Sequence, residues 1–151
     1  MDINSKDFFD TYVTVLTKDQ FNRLEDFTLG IIKTLHFTDE ETIDLDSRLK
    51  TLNDLNQKLY RTASRNNQGI VFEKTGDLAN AIKVYEENIS EGYPATHSFI
   101  RLMVIYRKLK KHSEEIRVID QGLSIMKDKN PGIFAQWSKR LVKAKNLAAY
   151  I

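Results

Sequence analysis

The chain has no cysteine, which excludes disulfides, thiolate zinc sites, iron–sulfur clusters and cysteine nucleophiles together. Proline is scarce at two residues and glycine amounts to six in 151; a turn-rich β sandwich needs more of both, so the composition points to long helices. Long apolar runs are missing too. The most apolar short stretch, Leu29-Gly30-Ile31-Ile32, is far short of the roughly 20 residues that cross a bilayer. The N-terminal Met1-Asp2-Ile3-Asn4-Ser5-Lys6-Asp7 carries acids where a secretory signal carries basic residues ahead of an apolar core. These absences predict a cytoplasmic protein without a membrane span. With 41% hydrophobic and 29% charged residues, the chain has ordinary globular composition, and its length suits one compact domain.

An excess of one charge sign is also lacking, since the net charge is +2. The distribution is uneven, however. Residues 1–60 hold 7 Lys and Arg against 12 Asp and Glu, a balance of −5, while residues 61–151 hold 16 against 9, a balance of +7. Such asymmetry either lets the acidic half meet a basic surface, that of a second copy included, or reflects differently solvated helix faces. Catalytic patterns are absent: there is no Gly-x-Ser-x-Gly turn, no phosphate-binding Gly-x-x-x-x-Gly-Lys loop and no Gly-x-Gly-x-x-Gly fingerprint. His36, His97 and His112 are scattered, and none forms the His-x-x-x-His pair that presents two ligands to one metal. The adjacent acids Glu86-Glu87 and Glu114-Glu115 diverge by about 100° on a helix, so they read as solvated faces rather than an acid/base dyad. The expectation is a non-enzymatic protein with no catalytic residue, no metal and no cofactor.

What the sequence does hold is helical periodicity. Phe8, Phe9, Tyr12, Val13 and Leu16 fall at spacings of three and four, which predicts a short helix over 5–16. Thr17-Lys18-Asp19-Gln20 has the form of a capping box, and Phe21, Leu24, Phe27, Ile31 and Leu35 continue a second apolar stripe with Gly30 inside it. A further box, Thr38-Asp39-Glu40-Glu41, precedes the leucine ladder Leu45, Leu49, Leu52, Leu55 and Leu59, whose spacing favours packing on another helix. Periodicity carries on to Lys74, as one long helix or as two with a break near Ser64-Arg65-Asn66-Asn67. Asn130-Pro131 reads as an N-cap with proline at the first helical position, followed by the stripe Phe134, Trp137, Leu141, Ala144 and Ala148.

An internal repeat emerges at an offset of 34 residues. It aligns Ile70 with Val104, Phe72 with Tyr106, Lys74 with Lys108, Ile82 with Ile116, Val84 with Val118, Glu86 with Asp120 and Ile89 with Leu123. Gly76 suits the left-handed position that ends a helix and Asp77 the N-cap of the next. Gly69, Phe72, Gly76-Asp77, Ala81 and Tyr85 resemble, in order, the small and aromatic positions of the tetratricopeptide repeat family, whose unit is a 34-residue antiparallel helix pair. The second unit keeps Leu102, Tyr106 and the Glu114-Glu115-Ile116 spacing, but Glu115 stands where the family has a small residue and Ile119 where it has an aromatic.

The resemblance covers residues 61–127 and implies an all-α fold: antiparallel helix pairs forming a short solenoid of the tetratricopeptide type, with helical caps at both ends. Residues 1–60 are then an N-terminal helical cap or interaction subdomain, and 128–151 a capping helix, because two units alone cannot bury a continuous core. In this family the first helix of each unit lines a groove that takes an extended peptide or a partner helix. Carried over, that groove is lined by Asn66, Ile70, His97, Ile100, Arg101, Val104, Arg107 and Lys108, with Glu73 beside them. Its ionic groups are mostly positive, and arginine forks suit carboxylates, so another protein presenting an acidic segment is the natural partner. Two other readings stand beside it. The clusters Arg107-Lys108-x-Lys110-Lys111-His112 and Lys139-Arg140-x-x-Lys143-x-Lys145 suit the phosphates of a nucleic acid, and Phe8, Phe9, Tyr12 and Phe21 offer enough aromatic surface for a homodimer.

Overall fold

The computed structural model describes residues 5–150; the reading of the N-terminus that rests on Met1 to Asn4 lies outside the described residues. These residues form seven helices and no strand: α1 (Ser5–Tyr12), α2 (Lys18–Thr28), α3 (Asp39–Lys74), α4 (Leu78–Ser90), α5 (His97–Lys108), α6 (His112–Lys129) and α7 (Pro131–Ala149). None is long and apolar enough to cross a membrane. By contacts the chain divides into a unit ending at Gln57 and a unit from Lys58 onward, and α3 supplies residues to both.

In the first unit the helix starts follow from local side chains. The Thr17 hydroxyl accepts from the Gln20 amide and the Gln20 side chain accepts from the Thr17 amide, closing the box that opens α2. Thr38 and Glu41 make the same pair of bonds ahead of α3. The second stripe does not continue to Leu35 in a helix. Gly30 adopts φ 75° and the Ile31 amide reaches back to the Asp26 carbonyl, a left-handed stop at which glycine has no Cβ penalty. Leu24, Phe37 and Leu45 form the buried centre of this unit, and the Phe8 ring stacks on Phe37 at 4.7 Å. The break considered near Ser64 is absent, because α3 is a single helix of 36 residues. Its ladder packs only in part: Leu45 is buried whereas Leu55 and Leu59 stay exposed.

In the second unit, α4 packs on α5, α5 on α6 and α6 on α7. Around one core lie Tyr85, Phe99, Leu102, Met103, Val118, Ile119, Met126, Trp137 and Ala144. The 34-residue offset is written into the backbone. α3 and α5 end at Lys74 and Lys108, and α4 and α6 begin at Leu78 and His112. Between them the Asp77 amide bonds to the Phe72 carbonyl and the Lys111 amide to the Tyr106 carbonyl, each at 2.8 Å. Asp77 sits at φ −89°, ψ 73° and Lys111 at φ −87°, ψ 69°. Gly76 takes the left-handed region at φ 79°, and Lys110, its counterpart, takes it at φ 57° without glycine's freedom.

Side chains exchange volume across the two hairpins. A methyl at Gly69 would overlap the Tyr85 ring that lies against it; at the matching positions of the second hairpin stand Met103 and Ile119, both buried. A small residue under a ring gives way to two buried apolar residues of intermediate size, the kind of volume-conserving exchange a close-packed core tolerates.

Candidate functional site

Residues predicted to line a groove fall mainly on α5, and α5 is fixed by polar bonds to the helices around it. Asn88 of α4 donates its side-chain amide to the Thr62 carbonyl at 3.0 Å, to Asn66 Oδ1 at 2.9 Å and to Ser98 Oγ at 3.0 Å. Ser98 in turn donates to Asn66 Oδ1 at 2.7 Å. Asn66 therefore spends its carbonyl oxygen inside the protein, tying α3, α4 and α5 together. Glu73 receives a fork from Arg101, with Nη2 2.6 Å from Oε1 and Nε 3.1 Å from Oε2, and accepts the Tyr85 hydroxyl at 2.7 Å. Burial works against the Glu73 carboxylate, but the bonds from Arg101 and Tyr85 outweigh it and leave its pKa below the ordinary value. His97 stands edge-on to Tyr85 at 5.7 Å. Burial, reinforced by the nearby Arg101 charge, lowers its pKa.

Arg107 is also committed. Its Nη2 lies 2.8 Å from Glu115 Oε1 and its Nε 3.1 Å from Oε2, while Arg140 of α7 approaches the same Oε1 at 3.2 Å. Glu115 is 0% exposed, so the acid that departs from the small-residue pattern is not the solvated face the sequence suggests. Its neighbour Glu114 does stay at the surface, paired with Arg117 at 2.8 Å. Nothing in the Glu114-Glu115 dipeptide separates the two roles. The usable signal is long-range: one arginine lies a turn-crossing earlier in the chain and another on α7.

The predicted set thus splits. Arg101, Val104 and Lys108 come together with Glu73 around a small hollow of about 120 Å3. Ile100 instead lies in a pocket of about 330 Å3 with Met103, Trp137, Lys139, Arg140 and Lys143; the sequence pattern assigns Lys139, Arg140 and Lys143 to phosphates and places none of the α7 members in the groove. Ile70 is half-buried on α3, and Arg107, half-buried at the surface, is held on Glu115. In the first unit, Phe9, Phe21 and Leu29 line an apolar hollow of about 480 Å3, whereas Phe8 packs on Phe37 and Tyr12 donates to Asp46 at 2.5 Å. Among the described residues no group of three or more His, Asp or Glu is placed to hold a metal ion.

Comparison with known proteins finds no matching family model, no matching curated protein and no matching solved structure.

Proposed function

We propose that this chain is a non-enzymatic interaction module, a short tetratricopeptide-like array that holds an acidic segment of another protein against the open side of α5. One observation carries the reading. α5 contains three cations and no carboxylate, and it presents Ile100, 38% exposed, and Lys108 to solvent while Arg101 and Arg107 brace it from within. A surface whose backbone and neighbours are already fixed loses little entropy when a partner docks. The 34-residue recurrence of helix ends and turn geometry supports the array.

The test uses Ile100→Asp with Lys108→Glu, because reversing Arg101 or Arg107 would break internal ion pairs and confound binding with stability. Affinity capture with nuclease-treated lysate should yield a protein that the wild type retains and the folded variant loses. Equal capture by both refutes the assignment to α5. A second reading, self-association of the first unit, is favoured by the exposed Phe9 and Phe21; light scattering across a concentration series that returns a constant monomer mass removes it.

A further inference from the structure

We infer that the pocket between α5 and α7 is the anchor subsite for that partner, and that it takes a large apolar side chain flanked by Asp or Glu. This rests on the interaction-module reading and extends it to α7, the capping helix whose Lys139-Arg140-x-x-Lys143 cluster the sequence offers instead to phosphates. The pocket, about 330 Å3, has Met103 and Trp137 as its floor and Ile100 at its opening, with Lys139, Arg140 and Lys143 along the α7 edge. Met103 and Trp137, at 1% and 3% exposure, are held rigid by their packing and show the pocket only an edge, so an apolar side chain that enters meets chiefly Ile100.

Charge identifies what surrounds that side chain. α5 and α7 together carry seven cations, Arg101, Arg107, Lys108, Lys139, Arg140, Lys143 and Lys145, and no carboxylate. The acids that reach these helices from elsewhere, Glu73 and Glu115, are taken up by Arg101, Arg107 and Arg140. Lys139 and Lys143 are left one helical turn apart on one edge, both exposed, with no ion pair among the described residues. Two like charges at this spacing disfavour the helix that holds them. Nor does the helix dipole reward them, because α7 has no basic residue in its last turn. Among the described residues no carboxylate offsets their charge, and a carboxylate-bearing segment of a partner would do so. A nucleic acid fits less well, since single-stranded binding relies on exposed rings for base stacking and Trp137, at 3% exposure, offers no open face.

The chain has one tryptophan, so the floor of the subsite carries its own reporter. The probe is a fluorescein-labelled pool of 12-residue peptides made of Asp, Glu, Ala and Ser around one central Leu or Phe. Controls are the same pool with Lys for the acids, the same pool with central Ala, and a 12-mer oligodeoxythymidine. Anisotropy should show saturable binding of the acidic pool that falls with rising salt, and unlabelled pool should shift Trp137 emission. Lys139→Glu with Lys143→Glu, and separately the central Ala, should each weaken binding at least tenfold.

Amide shift mapping on 15N-labelled protein separates the failures. Perturbations at Ile100, Trp137, Lys139 and Lys143 support the subsite. Perturbations confined to α3 and α5, with the lysine variant binding within threefold of wild type, overturn the subsite and leave the module reading standing. Absence of binding, perturbations only in the first unit, or equal binding of the lysine pool or the oligonucleotide overturn both.

Discussion

The buried carboxylate of Glu115 sets a quantitative test of how the second unit is held together. It is 0% exposed, whereas the arginines that clamp it, Arg107 and Arg140, are 27% and 26% exposed. The two partners are therefore unequal to their acid: an arginine left alone is solvated at the surface, but the acid left alone is stranded. Replacing Arg107 by Met keeps the alkyl packing and leaves Arg140 on Oε1, so the cost is one charge-assisted interaction partly offset by the other, about 1–2 kcal/mol. Arg140→Met should cost about the same on that scale. Removing both leaves a buried, unpaired charge, for which about 3–5 kcal/mol is typical. With singles of about 1 kcal/mol each, the cycle yields a coupling of about 1–3 kcal/mol beyond additivity. The assay is urea unfolding followed by Trp137 emission, with helical circular dichroism as a second probe. At a slope of about 2 kcal/mol/M the double variant should lose about 2 M in midpoint. Adding Glu115→Gln to the double variant should restore much of the loss by removing the charge. A double variant that costs no more than either single, or a Glu115→Gln addition that restores nothing, would refute the clamp.

Four further outcomes follow from the geometry. Lys110→Gly should stabilise the second unit by about 0.5–1 kcal/mol, because Lys110 pays for a left-handed backbone that Gly76 adopts freely; an unchanged or lower urea midpoint contradicts this. Gly69→Ala should destabilise by about 1–2 kcal/mol although alanine favours helix, since the added methyl meets a Tyr85 ring fixed by its bond to Glu73, and a variant as stable as wild type sinks the close-contact argument. His97 has a pKa lowered by burial and by Arg101, so the unfolded chain takes up its proton first as pH falls. Its contribution is complete above about pH 6.5 and is lost on acidification below that. The midpoint reported by Trp137 should therefore drop between pH 7.5 and 5.5, and His97→Gln should reduce that drop; a pH-independent midpoint tells against it. Glu41 defines a lower window in the first unit. Bonds from Arg23 hold its pKa at about 2, so its contribution, intact above the ordinary 4.5, is lost only as pH falls from there toward 2.

Local signals were the legible part of this chain. The capping boxes at Thr17 and Thr38, the Asn130-Pro131 start of α7 and the Gly76-Asp77 turn each depend on bonds made within about four residues, so the residues that form them stand together in the sequence. The offset of 34 was legible for a related reason, since it compares like segments with like. Gly30 was misplaced because Phe27, Ile31 and Leu35 keep helical spacing across it, and periodicity carries no information about the sign of φ. Glu115 and Arg107 were misjudged because their partners come from another turn and another helix. No single-helix pattern distinguishes a carboxylate that two arginines enclose from one that water solvates.

The same difficulty distorts any charge count of the rim. Each ion pair described above has arginine as its cation: Arg101 with Glu73, Arg107 and Arg140 with Glu115, Arg117 with Glu114. Arginine's planar fork holds a carboxylate in fixed geometry and is weakly hydrated, so folding recruits it as a brace; lysine keeps its water and stays at the surface. Reading Arg101 and Arg107 as ligand donors counted charge that the fold engages in ion pairs, and left Lys139 and Lys143, which pair with no carboxylate among the described residues, to the nucleic-acid alternative rather than to the groove. What then remains for a partner is a lysine rim over an apolar floor. Lysine attracts as a hydrated point charge without bidentate geometry, and exposed charges are screened within about 8–10 Å at physiological salt. Recognition built this way should be fast to form and strongly salt-dependent, and its selectivity among acidic segments should come from the side chain that enters beside Ile100 rather than from the carboxylates around it.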